Sequence, residues 1–113
     1  MLLEIRTYKV KPGRLDEFVA ALRGVRPMLA AAGIDVVDLG PSIEHDEGEH
    51  AYLLRAFADA EERQAKEDAF YGSAAWREGP RAAVLDPLEG YQTVLLDLPA
   101  HVVDGMRRPA TVD

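Results

Sequence analysis

Two arginines stand inside stretches that read as strands, Arg6 in Leu3-Glu4-Ile5-Arg6-Thr7-Tyr8 and Arg55 in Tyr52-Leu53-Leu54-Arg55-Ala56-Phe57. A guanidinium on a covered sheet must be paired or must hold an anion, because a desolvated, unpaired charge is costly. The partner is either a protein acid such as Glu4 or the acidic group of a ligand. Tyr8, Tyr52, Phe70, Tyr71 and Trp76 are five of the eight aromatic residues, and such side chains fill cores as readily as they line binding sites. Trp76, Arg77 and Arg81 share one stretch, where they either pair with Glu78, Asp86 or Glu89 at the surface or flank a binding mouth. His45 and His50 sit among Glu44, Asp46, Glu47 and Glu49, which offers nitrogen and oxygen donors but no ligand triad of recognised spacing. We read this stretch as a charged turn and expect no metal. His101 has no identified partner for ligating haem. The serines Ser42 and Ser73 lack a G-x-S-x-G setting, and there is no phosphate loop or dinucleotide fingerprint, so hydrolase, kinase and dehydrogenase readings lose support.

These residues need elements to position them. Leu3, Ile5 and Thr7 alternate with Glu4, Arg6 and Tyr8, the period of a strand, which Lys11-Pro12-Gly13 stops. Leu15, Phe18, Val19, Leu22, Val25 and Leu29 then recur at helical steps, and Gly33 closes that helix. Pro27 within it predicts a kink or a restarted turn near Arg26. Ile34 to Ile43 and Ala51 to Ala58 read as two strands of a hairpin, with a bulge or bend expected at Gly40-Pro41 on a sheet edge. Asp59 followed by Glu62 starts a helix over about Ala60 to Phe70. Ser73 caps a second piece through Trp76, and Gly79-Pro80 restarts the chain at Arg81. Tyr91 to Leu98 supplies the last strand, and Pro99 ends it.

The order is strand, helix, strand, strand, broken helix, strand. With right-handed crossovers it gives an α+β, ferredoxin-like βαββαβ fold, a four-stranded antiparallel sheet with helices on one face. The third strand is apolar on both parities, with Tyr52, Leu54 and Ala56 on one side and Leu53 and Phe57 on the other. A half-solvated sheet should show polar residues on its free side. The covering layer is expected to come from a second copy of the chain, making a homodimer. Residues 1–98 form the domain, and 99–113 a tail that is loose or docked on a partner subunit.

The 113 residues, 48% hydrophobic and 29% charged, suit one soluble core. A formal charge of −7 disfavours phosphate backbones and acidic membranes, so neither nucleic acid nor membrane is an expected partner. No cysteine occurs, which excludes disulfides, thiolate metal sites and a Cys nucleophile. Met1-Leu2-Leu3-Glu4-Ile5-Arg6 meets charge too early for a secretory signal, and the expected location is cytoplasmic.

Glu4-Ile5-Arg6-Thr7-Tyr8 followed by Lys11-Pro12-Gly13-Arg14-Leu15 resembles the opening of NIPSNAP-like domains. Glu62-Arg63-Gln64 with Phe70-Tyr71-Gly72-Ser73 and Trp76 is similar to that family's acidic second helix and its tryptophan. The resemblance covers about residues 2 to 98 and implies the dimeric α/β-barrel superfamily, in which each subunit keeps a cavity between sheet and helices. It also brings the first strand close to the second helical region. The superfamily includes cofactor-independent monooxygenases, lactone isomerases and haem proteins, while animal NIPSNAP proteins are mitochondrial and discussed as adaptors. What it implies here is a small-molecule-binding protein, acting without cofactor in the oxygenation, isomerisation or cyclisation of a phenolic or polyketide-like substrate. The alternative is a non-catalytic dimeric binding or interaction module. The ligand-pocket candidates are Arg6, Tyr8, Arg55, Tyr71, Trp76 and Arg81, and the ligand an aromatic or anionic small molecule. The pocket is expected to open beside Arg55, toward Tyr71 and Trp76. An open cavity holding an arginine and Tyr8, Tyr71 or Trp76 favours the first reading, and a closed core the second.

Overall fold

The structure is a computed structural model that describes residues 1–43 and 48–108. The chain runs β1 (Leu2–Val10), α1 (Leu15–Ala31), β2 (Asp35–Pro41), β3 (His50–Phe57), α2 (Ala60–Tyr71), α3 (Ala74–Arg77), α4 (Arg81–Leu85), β4 (Leu88–Asp97) and α5 (Ala100–Gly105). The strands form one antiparallel sheet in the order β2-β3-β1-β4, the ferredoxin-like arrangement expected from the element order.

Register decides what each face carries. Glu4 pairs with Arg55 across β1–β3, while Arg6 and Tyr8 pair with Thr93 and Tyr91 across β1–β4. Directly opposed residues of antiparallel strands point to the same face. That face therefore carries Glu4, Arg6, Tyr8, Leu53, Arg55, Tyr91 and Thr93 toward the helices. The main core lies here, between the sheet and Phe18, Val19, Leu22, Val25 and Leu29 of α1, with Phe70 and Trp76 beside them.

The helix ends follow their sequence signals. Gly33 stands at φ +79°, its N–H donates to Ala30 and that of Ile34 to Leu29, so two orphan carbonyls of α1 are met by a glycine-centred turn. Asp59 accepts from the Glu62 N–H at 2.8 Å, and the Glu62 carboxylate reaches back to the Ala58 N–H at 2.6 Å. Ser73 accepts from the Trp76 N–H at 3.3 Å.

Three local expectations need correction. The helix α1 runs through Pro27 instead of restarting; burial of Val25 and Leu29 on either side holds it across one missing hydrogen bond. The irregularity in edge strand β2 falls between Val36 and Asp38 and not at Gly40-Pro41, which stays in register with Tyr52 and Ala51. Strand β4 begins at Leu88, with a register shift opposite Lys9 and Val10 that accommodates Glu89.

On the opposite face Leu3, Val37 and Ala56 pack with Val103 of α5. The Arg108 N–H donates to the Val37 carbonyl at 3.3 Å, and Arg107 forks onto Asp35 at 2.7 and 2.8 Å. Through Arg108 the tail thus lies on its own chain's sheet. The cover is partial: Val94 and Leu96 remain 52% and 38% exposed. No helix among the described residues is long and apolar enough to cross a membrane.

Candidate functional site

Strand β1 delivers Glu4, Arg6 and Tyr8 at alternate positions, so all three meet the helix layer. Helix α2 delivers Arg63, Glu67 and Tyr71 at four-residue steps, which stacks them on its sheet-facing side. Between the two lies a buried ion network. Arg55 is fully buried, and its Nε donates to Glu4 Oε1 at 2.5 Å while Nη1 donates to the Tyr71 hydroxyl at 2.7 Å. Arg63 Nε donates to the other Glu4 oxygen at 2.9 Å. Glu67 Oε2 lies 3.3 Å from both Arg55 Nη2 and Arg63 Nε, close enough for charge pairing. It makes no hydrogen bond there and is a buried, unfilled acceptor. Arg55 Nη2 is likewise near Glu4 Oε1, at 2.5 Å, but is not aligned for a hydrogen bond.

The two carboxyls are pushed apart in acidity. Burial alone would raise Glu4, but a hydrogen bond from Glu67 and the charges of Arg55 and Arg6 outweigh it and hold Glu4 at about 2. Burial and the hydrogen bond to Glu4 raise Glu67 to about 7, against the pull of Arg55 and Arg63. Two acids sharing one proton behave this way: the better-paired one keeps its charge, and the other keeps the proton into the neutral range. Burial, then Tyr71, pushes the Tyr8 phenol up, so it stays protonated.

In front of this network opens a cavity of about 420 Å³, bounded by Arg6 and Tyr8 of β1, Glu67 and Tyr71 of α2, Trp76 of α3 and Tyr91 of β4. Arg6 is held by its Nε bond to the Thr93 hydroxyl at 3.2 Å and by stacking 4.8 Å over the Tyr91 ring. Phe70, Tyr71 and Trp76 pack edge-on or tilted with centroids 5.1 to 5.6 Å apart, which fixes the aromatic wall.

Of the six sequence candidates, Arg6, Tyr8, Tyr71 and Trp76 therefore share one cavity. Arg55 stands behind its wall, clamping Glu4 and Tyr71. Arg81 is not among the cavity residues and borders a second depression with Tyr71, Arg77 and Glu78. Sequence reading passed over Glu67, Arg63 and Tyr91. The four-residue spacing Arg63, Glu67, Tyr71 was the available signal for the first two, whereas Tyr91 follows from register alone. His45 lies outside the described residues, and His50 Nδ1 stands 3.1 Å from the Gly48 carbonyl. Among the described residues no group of three His, Cys, Asp or Glu side chains is placed to hold a metal ion.

A ferredoxin-like sheet with a cavity between its β1–β4 half and a broken second helix defines the class as an α+β domain with a sheet-to-helix pocket. The model of the NIPSNAP family matches residues 3–86, and the chain belongs to that family. No curated protein matches it. Among solved structures it is similar to an uncharacterised NIPSNAP domain protein from Burkholderia xenovorans, at 21% identity and TM-score 0.74 over 88% of this chain and 96% of that one. A NIPSNAP family protein from Agrobacterium tumefaciens is 19% identical with TM-score 0.73, over 85% and 86%. A Bordetella bronchiseptica protein carrying the name of an antibiotic biosynthesis monooxygenase is 19% identical with TM-score 0.66, over 87% and 96%. At such identities the likeness is one of fold.

Proposed function

We propose that the protein binds a compact aromatic molecule bearing an acidic oxygen, and that it acts on this molecule without a cofactor by oxygenation, isomerisation or cyclisation. One observation carries the reading: an open cavity of about 420 Å³ combines Arg6 with Tyr8, Tyr71, Trp76 and Tyr91. That volume lies in the range of small-molecule sites, and the lining is the mixture of aromatic wall and few polar groups that fixes a ligand's orientation. At and behind its wall the guanidiniums of Arg6, Arg55 and Arg63 face Glu4, Glu67 and Asp68, and while Glu67 holds its proton, positive charge exceeds negative there in a chain of net charge −7. Such a field favours an oxyanion. The monooxygenase name of a structural neighbour supports the oxygenation form of the reading at the level of fold.

Native mass spectrometry of protein purified from its own host tests this. We expect one small aromatic acid per chain, released on denaturation and reduced in Val84→Phe, which adds bulk at the cavity wall. Undiminished retention by Val84→Phe would contradict the assignment of the cavity.

A second reading, that of a non-catalytic interaction module, is favoured by the apolar outer face, where Val94 and Leu96 stay partly exposed beside α5. We propose that a second copy of the chain covers this face. This homodimer is compatible with either reading of the cavity.

A further inference from the structure

We propose that Glu67 is the proton acceptor of the cavity, and that the ligand is a phenol or stable enol whose acidic oxygen sits between the Glu67 carboxylate and the Arg6 guanidinium. The inference rests on the reading of the cavity as a small-molecule site and names the class of ligand and the residue that receives its proton.

The geometry comes first. Arg6 and Glu67 both border the cavity, and Glu67 Oε1 stands 3.8 Å from Arg6 Nη2, too far for a hydrogen bond. One oxygen atom placed about 2.8 Å from each spans that gap, donating to the carboxylate and accepting from the guanidinium. Neither side chain is free to close the gap on its own. Thr93 and the Tyr91 ring hold Arg6, and the other oxygen of Glu67 is tethered by charge to Arg55 and Arg63. That tethered oxygen is a buried acceptor without a hydrogen bond.

Charge then selects the ligand. The groups facing Glu67 are Glu4 and Arg6 from β1, Arg55 from β3 and Arg63 from its own helix, with Asp68, Tyr8, Tyr71 and Tyr91 completing the titratable lining. A permanent anion beside Arg6 has no proton to give Glu67 and is repelled by it wherever Glu67 is ionised, above about 7. A weak O–H acid avoids that conflict: its O–H bond breaks, a new O–H bond forms on the Glu67 carboxylate, and the electron pair stays on the ligand oxygen beside Arg6. No oxidant or reductant enters this step. Tyr71, Trp76 and Tyr91 provide ring faces for the ligand's conjugated body. Burial and the shared proton with Glu4 poise Glu67 at about 7, where a proton can move in either direction with little driving force to overcome.

The probe is 4-nitrophenol, whose phenolate absorbs where the phenol does not, with the indole N–H signal of Trp76 reporting occupancy. Well above the solution pKa of the dye, both the free dye and Glu67 are ionised, so binding must draw a proton onto Glu67 from solvent. Glu67→Gln, which has the shape and charge of the protonated acid, should keep the indole shift. Above that pKa, calorimetry in buffers of differing ionisation enthalpy should show close to one proton taken up per dye bound by the wild type, and close to none by the variant. Equal proton counts in both proteins would overturn the role of Glu67 while leaving the cavity assignment standing. An indole signal unmoved in the wild type would overturn the cavity reading and this inference with it. If Glu67→Gln does not fold, the wild-type proton count decides, and binding without proton uptake overturns the proposal.

Discussion

Glu4 makes its structural contribution as an anion and Glu67 as an acid, and this division sets how the fold should respond to pH. A carboxyl held at about 2 against an ordinary 4.5 stabilises the fold above 4.5, and that contribution is lost as pH falls toward 2. A carboxyl raised to about 7 does the reverse: its contribution is complete below 4.5 and is lost as pH rises through 7. The pair therefore predicts greatest stability near the ordinary carboxylate pKa, with a decline toward neutrality of up to about 3 kcal/mol. Glu67→Gln removes the titrating proton while keeping a donor for Glu4, so its urea-unfolding free energy should decline less between pH 5 and 7 than the parent's. Parallel profiles would contradict the assignment. Arg55→Met keeps the apolar stem and strands Glu4 and Tyr71, and it should cost roughly 3 kcal/mol or more by the same measurement. The need for a partner at Arg55 was legible in its apolar flanks, and Glu4 was among the acids expected; the β1–β3 register is what brings the two together.

At the scale of elements, the signals that succeeded are local. Asp59 with Glu62, Ser73, Gly33 and Gly79-Pro80 each act within one turn of chain, and each marks an element boundary where it was expected. Gly33 gives a direct check. An added Cβ there would meet only the end of Lys66 at an ordinary 3.7 Å, so the cost of Gly33→Ala is conformational. At φ +79° that cost should be about 1–2 kcal/mol in unfolding free energy. A neutral substitution would mean that the turn adopts another conformation. The signals that failed are those that distant contacts override. Gly40-Pro41 carries the composition of a bulge, yet β2 is irregular at Val37, where Arg108 of the tail donates to the carbonyl and Val103 packs against the side chain. No window of sequence around Val37 contains that information. The pocket was legible to the same degree: Tyr71 and Trp76 could be placed together by the broken helix, whereas Tyr91 required the β1–β4 pairing.

The whole molecule presents two unlike faces. One buries the ion network and the cavity; the other is apolar and only partly covered by α5. Exposed apolar area of this kind on a sheet is a mark of association. Light scattering should therefore give about twice the 12.4 kDa chain mass at low micromolar concentration, and Leu96→Asp should shift the population to the monomer. A parent that stays monomeric would remove the homodimer. Pro99 marked the end of β4, but the seat of Val103 on Leu3, Val37 and Ala56 depends on strands far away in the chain. The central claim is that the cavity between β1, β4 and the broken helix receives an aromatic acid. Trp76 is the one tryptophan of the chain and lines that cavity, so a single indole N–H signal reports on it without assignment. Titration with 4-nitrophenol should move that signal saturably, to a plateau at one ligand per chain, and Arg6→Met should weaken the apparent affinity about tenfold or more, as loss of a charge-assisted bond does. An indole signal that stays in place throughout the titration, in a protein shown to be folded, would contradict the account.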